Sequence, residues 1–227
     1  MSKKVLVVAA HPDDEVLGCG GTIARLANEG AQVSLLILGE GMTSRYAKRE
    51  GGLGSKELQA LKKYTAEATK VLGIKKTYLR DLPDNRFDSV DLLNIVKEIE
   101  KVKAEIRPDI VYTHHKGDLN IDHRITFDAV LTACRPINGE TVKEIYSFEV
   151  PSSTEWGHPC SFQPNTYVDI SKTIETKTAA MKAYKSEIRD WPHPRSEEAI
   201  ITLAKKRGCE AGLFFAESFE LIRRTIK

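Results

Sequence analysis

The run KVLVVAA at residues 4–10 is the feature that most restricts the fold. Its apolar residues stand side by side rather than alternating, so a strand built from it needs cover on both faces. QVSLLILGEG (32–41) and DIVYTHH (109–115) carry the same signature. The segments between them change period. Leu58, Leu61, Thr65, Ala68 and Leu72 share one helical face within 56–72, and Leu92, Ile95, Val96, Ile99, Val102 and Ile106 share another within 91–106, closed by Pro108. Helices are also expected over 14–29, stopped by Gly30, over 122–134, and around 171–189 and 196–208. Shorter strands are expected at 77–82, 144–150, 166–170 and 219–224. This alternation predicts an α/β fold, a doubly wound, mostly parallel sheet with helices on both faces and right-handed crossovers.

In such a sheet, ligands bind beyond the carboxyl ends of the strands. The polar residues obey that rule, because AHPDDE (10–15), LGEGMTSR (38–45) and THHKGDLNIDH (113–123) each follow a strand. The first is the most demanding. Asp13, Asp14 and Glu15 stand beside His11 and run into GCGG (18–21), and like charges at that density need compensation or open solvent.

Three readings compete for it. A dinucleotide loop would make the chain an oxidoreductase. However, Ile23 occupies the third glycine position of that fingerprint, and three acids would stand where a pyrophosphate docks. The glycines then serve close packing of the first helix. A plain helix start explains a proline and one or two acids through the macrodipole, but leaves His11 and the second cluster, Asp122–His123, without a reason. A metal ion explains both. His11 and Asp14 are three apart across a strand-to-helix corner, and two histidines with one carboxylate form a three-ligand catalytic set with a position left for water.

Charge and composition narrow the partners. A net charge of +2 offers no polybasic footprint, so nucleic acid is not expected. No apolar segment approaches the ~18 residues of a membrane span, and the amino terminus lacks a secretory pattern, so a cytoplasmic protein is expected. The length of 227 residues, 41% hydrophobic and 29% charged, suits one domain with a full core. Cys19, Cys134, Cys160 and Cys209 form no CxxC pair and read as buried small apolar residues.

AHPDDEVLGCGGTIARL together with GDLNIDHR resembles the PIG-L/LmbE family of zinc-dependent N-deacetylases. PSSTEW, EIRDWPHPRSEEAI and RGCEAGLFFAESFELIR extend the likeness over most of the chain. The resemblance implies a Rossmann-like single domain over 1–227. It further implies removal of an acetyl group from an N-acetylglucosamine-type sugar or conjugate, with an amidase on a larger N-acyl conjugate as the neighbouring alternative, and it allows a homo-oligomer. Position by position it implies Zn2+ on His11, Asp14 and His123, with Asp13 as general base. Where several members carry a histidine three residues before the last ligand, this chain has Asn120. An amide donates to an oxyanion but is no acid, so the proton donor is either Asp13 itself or one of His114, His115 and His193. Asp122 is expected to orient a neighbour.

Weaker candidates surround these. Arg45 could clamp an anionic group of the substrate or stand solvated. Glu15 could bind a sugar hydroxyl or cap the helix, and Arg135 could pair with Asp13 or end its helix. Trp156 and His158, in the irregular 151–165 loop, could meet a sugar ring, with a core role for the tryptophan as the alternative. His193 and Arg195 could complete the pocket. Of His114 and His115, alternation allows only one to face the site.

Overall fold

The structure is a computed structural model and describes residues 2–46, 48–49 and 53–226. The first half winds as β1 (Lys4–Ala9), α1 (Asp14–Asn28), β2 (Gln32–Gly39), α2 (Lys56–Leu72), β3 (Lys76–Leu82), α3 (Leu92–Ile106), β4 (Ile110–His114) and α4 (Ile121–Ala133). The second half follows as β5 (Glu144–Phe148), β6 (Thr166–Asp169), α5 (Ile174–Ala183), α6 (Glu197–Ala211) and β7 (Ala216–Arg224). One seven-stranded sheet results, in the order β3-β2-β1-β4-β5-β7-β6. The first five strands are parallel, and β7 runs antiparallel to both β5 and β6.

The uninterrupted apolar run of β1 does what its pattern demands. Val5, Val7 and Ala9 enter one core with residues of α1, α2 and α5, while Leu6, Val8 and Ala10 enter the other with α3 and α4. Residues 5–10 are all fully buried. Strand order reverses between β1 and β4, whose carboxyl ends therefore open a crevice between the loops that leave them.

Two sequence boundaries shift. The helix expected over 171–189 is only Ile174–Ala183, because the chain turns at Tyr184 and carries 184–196 as an irregular segment towards the crevice. The last strand begins at Ala216 rather than 219. The cysteines divide as well. Cys19 and Cys134 are buried, whereas Cys160 and Cys209 are exposed, since one lies in the 151–165 loop and the other on the solvent side of α6.

Helix α1 is broken by non-helical backbone at Cys19 (φ −147°, ψ 23°). Its freed groups are answered from β7 and α5. The Glu217 carboxylate accepts from Gly21 N–H at 2.9 Å and Thr22 N–H at 2.7 Å, and Lys177 Nζ donates to Leu17 O at 2.8 Å and to Glu217 at 2.6 Å. The kink thus has a named cause, a buried ion pair inserted into the backbone ladder. The glycines make the close approach possible. A Cβ on Gly18 would enter the ring of Phe148, and one on Gly21 would lie 2.8 Å from Ile170 Cγ2. These glycines therefore pack inside the helix instead of forming a phosphate loop, which removes the dinucleotide reading.

The pair gives a stability prediction. Glu217→Ala strands a buried ammonium and should cost about 3–5 kcal/mol in urea unfolding. The double change Lys177→Met with Glu217→Leu should recover most of that loss, whereas equal instability of both variants would show that the pair's charge is not what matters.

Candidate metal centre

His11, Pro12 and Asp13 form the corner that joins β1 to α1. Asp13 takes a left-handed conformation (φ 100°, ψ −25°) that a non-glycine residue adopts only when its surroundings hold it. Glu15 Oε2 accepts the Asp13 N–H at 3.2 Å, and the Asp13 carbonyl accepts from Val16 and Leu17 N–H at 3.0 and 2.9 Å. The strained corner lets Asp14 fold back, so that its Oδ2 accepts the His11 N–H at 2.7 Å. From α4, His123 arrives one turn into the helix. Its Nε2 lies 3.3 Å from Asp14 Oδ2, and His11 Nδ1 lies 3.5 Å from the same oxygen. One ligand atom from each of His11, Asp14 and His123 falls within 4.8 Å of the others, and all three residues are buried.

The far nitrogens of both imidazoles meet carboxylates. His11 Nε2 lies 2.8 Å from Asp122 Oδ2 and 3.3 Å from Asp84 Oδ1. His123 Nδ1 lies 3.2 Å from Asp118 Oδ1. These acids are themselves anchored. Asp122 also accepts from the backbone of Asn85 (2.7 Å) and Phe87 (2.9 Å), while Asp118 accepts from Ser153 Oγ and from Thr154 Oγ1 (2.5 Å). Carboxylate-backed imidazoles that face a shared carboxylate are the pattern of a metal centre, because the outer acids fix the ring and raise its basicity. A second group, His11 with Asp84 and Asp122, also lies within 4.8 Å, but Asp122 is already committed to three hydrogen bonds.

The electrostatics agree with that donor set. Burial opposes charge on both imidazoles, yet Asp122 and Asp14 raise His11 well above its usual range, and Asp14 and Asp118 push His123 up to about 9. Burial also works against Asp14, which the surrounding imidazoles hold well below the usual carboxylate range. The cluster demands positive charge, which protons satisfy when nothing else does and which a divalent cation would satisfy with fewer particles.

His11, Asp13, Asp14, Arg45, Asn120 and His123 all line one cleft of about 190 Å³ at the carboxyl ends of the strands. Ser44 after β2, Asp84 and Asn85 after β3, Ser152 and Ser153 after β5, and Glu187 and Arg195 between α5 and α6 complete it. A larger hollow of about 610 Å³ lies at the opposite end of the sheet, among Lys3, Asp109 and Lys143, and brings no histidine together.

Asp13 is 3% exposed, and its Oδ2 accepts from Arg195 Nη1 at 3.0 Å. Burial lifts its carboxyl to about 7 against the opposing charge of Arg195. Arg195 thus occupies the place considered for Arg135, which instead stands exposed 3.8 Å from Glu100 at the far side of α4. Asn120 caps α4. Its Oδ1 accepts from Asp122 N–H at 2.8 Å and its Nδ2 donates to Asn85 Oδ1 at 2.9 Å.

Glu15 and His193, candidates for substrate contact, fall outside the cleft. Glu15 is fully buried behind it, accepts from Tyr184 Oη at 2.7 Å and is pushed by burial up to about 8, so it braces the Asp13 corner rather than meeting a sugar. His193 does not line the cleft, since its Nδ1 faces back and accepts the Arg195 N–H at 3.1 Å. The two neighbouring histidines diverge as alternation requires. His114 stacks on His123 with centroids 4.0 Å apart, whereas His115 turns to Glu220 and Ser161, at 3.0 Å each, and ties the 151–165 loop to the sheet. Trp156 is 48% exposed, which excludes the core role. Asp84, Asn85, Asp118 and Glu187 escaped the sequence reading. The one local signal for the first two was a Pro-Asp-Asn turn directly after β3.

Comparison with known proteins places this geometry. Residues 6–134, more than half of the chain, match the family described as PIG-L, GlcNAc-PI de-N-acetylase. The uncharacterized deacetylase YaiS of Escherichia coli K12 is 31% identical over 81% of this chain and 91% of its own. The diacetylchitobiose deacetylase of Thermococcus kodakarensis is 29% identical over 97% of this chain and 83% of its own. Among solved structures, the conserved protein TT1542 of Thermus thermophilus superposes with a TM-score of 0.77 at 26% identity, covering 98% of this chain and 96% of that one. With the corner between β1 and α1, the imidazole of α4 and strands β2, β3 and β4 inside the matched segment, the chain belongs to the PIG-L family.

Proposed function

We propose that this protein is a zinc-dependent N-deacetylase that hydrolyses the acetamide of an N-acetylglucosamine-type sugar or sugar conjugate. The observation that carries the reading is the meeting of His11, Asp14 and His123 within 4.8 Å, with the Asp13 carboxylate on the wall of the same cleft. The deacetylases among its relatives support the substrate class.

His11 Nδ1, Asp14 Oδ2 and His123 Nε2 would hold the cation. A mixed set of two imidazoles and one carboxylate suits zinc and leaves room beyond the protein ligands. When bound, the cation supplies Lewis acidity towards the amide carbonyl and a water. The remaining work belongs to the chain. Asp13 takes a proton from the attacking water as the water oxygen bonds to the carbonyl carbon, and Arg195 fixes the carboxylate that receives it. Asn120 gives one amide N–H to Asn85; its second N–H is the donor to the developing oxyanion. The C–N bond then breaks, and the departing nitrogen takes up a proton to leave as an amine.

That proton comes from Asp13. His114 is fully buried, which pushes its imidazole well down from the usual range, and its Nε2 already accepts the Ala10 N–H at 2.8 Å. His115 is committed to Glu220 and Ser161, and His193 lies off the cleft. A carboxyl near 7 is suited to accept and then return a proton at neutral pH. The four cysteines are unpaired thiols, which supports the cytoplasm as the working compartment.

Three outcomes test the reading. Removal of metal by a chelator should abolish acetate release from N,N'-diacetylchitobiose or N-acetylglucosamine, and stoichiometric zinc should restore it. Asp13→Asn should retain the metal by elemental analysis yet lose about 10²–10⁴-fold in turnover; near-normal turnover would exclude Asp13 as the base. Arg195→Gln removes the positive charge that lowers the Asp13 carboxyl. The base form should then require higher pH, and the acid limb of kcat/KM should move upward.

A further inference from the structure

Two guanidinium groups stand at the cleft, and both are already taken. Glu187, 3% exposed on the segment between α5 and α6, accepts from Arg45 Nη2 on both oxygens, at 2.9 and 2.7 Å. Its Oε2 also accepts from Arg195 Nη1 at 3.2 Å, and the same Nη1 donates to Asp13 at 3.0 Å. A free pair of arginines beside a pocket is the usual receptor for a phosphate or carboxylate. Here both are already paired with protein carboxylates before any ligand arrives, Arg45 through Nη2 and Arg195 through Nη1.

The rest of the wall continues the pattern. Asp14 and Asp84 join Asp13 and Glu187 on it, and Asp118 and Asp122 stand behind the two imidazoles, each no more than 4% exposed. Six carboxylates therefore surround two guanidinium groups and, in the loaded protein, one dication, so no positive surplus is left for an anion. The neutral groups of the cleft are of a different kind. Ser44, Asn85, Asn120 and Ser152 offer hydroxyl and amide donors and acceptors suited to sugar hydroxyls.

We propose that Glu187 is a specificity-determining residue: shared between Arg45 and Arg195, it restricts the cleft to uncharged N-acetyl glycosides and rejects those that carry a phosphate or carboxylate near the acetamide. This rests on the deacetylase reading above and deepens it. Arg45 is thereby reassigned from an anion clamp to a partner of Glu187 whose remaining N–H groups meet neutral hydroxyls.

The test compares the zinc-loaded wild type with Glu187→Gln on N-acetylglucosamine and N-acetylglucosamine 6-phosphate. The wild type should favour the neutral sugar in kcat/KM by about tenfold or more, because an added anion meets uncompensated carboxylates at short range. Glu187→Gln keeps an acceptor but frees one positive charge, so the ratio should shift towards the phosphate ester by a further factor on the order of ten. Wild type that uses the ester equally well overturns the proposal. An equal loss on both substrates in the variant also overturns it, since that is what a merely structural carboxylate would give. Should the variant fail to fold by circular dichroism, the wild-type ratio decides alone. Calorimetric binding of glucosamine and glucosamine 6-phosphate reads the same preference without turnover. A protein that cleaves no acetamide yet binds glucosamine more tightly than its phosphate ester, which carries the same ammonium, would refute the deacetylase reading and leave the charge selection standing, whereas tighter binding of the phosphate ester would refute the selection itself.

Discussion

The physical constraint on which the structure turns is the burial of carboxylates around two imidazoles where β1 and β4 end. Asp14, Asp84, Asp118 and Asp122 lie almost wholly out of water, a state that is costly unless each charge is answered. The fold answers them by geometry. Backbone N–H groups of Asn85 and Phe87 point at Asp122, hydroxyls of Ser153 and Thr154 point at Asp118, and the His11 N–H points at Asp14. What remains is a demand for positive charge between the two imidazoles. A cation site here is thus a consequence of how the acids are packed.

The scaffold makes that packing possible through rigidity on both sides of the sheet. Fully buried strands hold the ends of β1 and β4 in fixed register, with Val5 opposite Ile110 and Val7 opposite Tyr112. The strained Asp13 corner then separates two adjacent carboxylates, sending Asp14 to the imidazoles and Asp13 to Arg195. A relaxed corner would put both acids on successive positions of one helix turn, with no reason for their roles to differ. The stored strain is held by Glu15, whose own carboxyl is pushed up by burial and by the neighbouring charges of Asp13 and Asp14, against the hydrogen bond it accepts from Tyr184.

The carboxylate and guanidinium that pair across this cleft lie far along the chain from the corner between β1 and α1. In this chain they come from the segment that follows α5, where Glu187 and Arg195 reach across the cleft to Arg45 and Asp13. The matched family segment ends at residue 134, before that part of the chain begins. Part of the charge pairing in the cleft is therefore carried by a stretch of sequence outside the matched segment.

The sequence by itself determined the sheet, the helix stripes and the histidine-and-acid corner that follows β1. Each is local: burial of a strand on two faces is written in consecutive apolar residues, and a corner of His11, Asp13 and Asp14 is written in neighbouring positions. Only the tertiary structure decided the partners. Asp122 could be read as an acid that orients a neighbour, but that it backs His11, while Asp118 backs His123, depends on how β1 and β4 lie side by side. Arg195 lies 182 positions from Asp13, and Glu187 lies 142 from Arg45, so no spacing rule links them. Likewise, Glu15 read as a sugar-binding residue or a helix cap because it stands next to the expected ligands, whereas the packing of Tyr184 over it makes it a buried brace. Periodicity reports which face of an element is covered, but charge pairing across a crevice is fixed only once distant loops have been brought to the same strand ends.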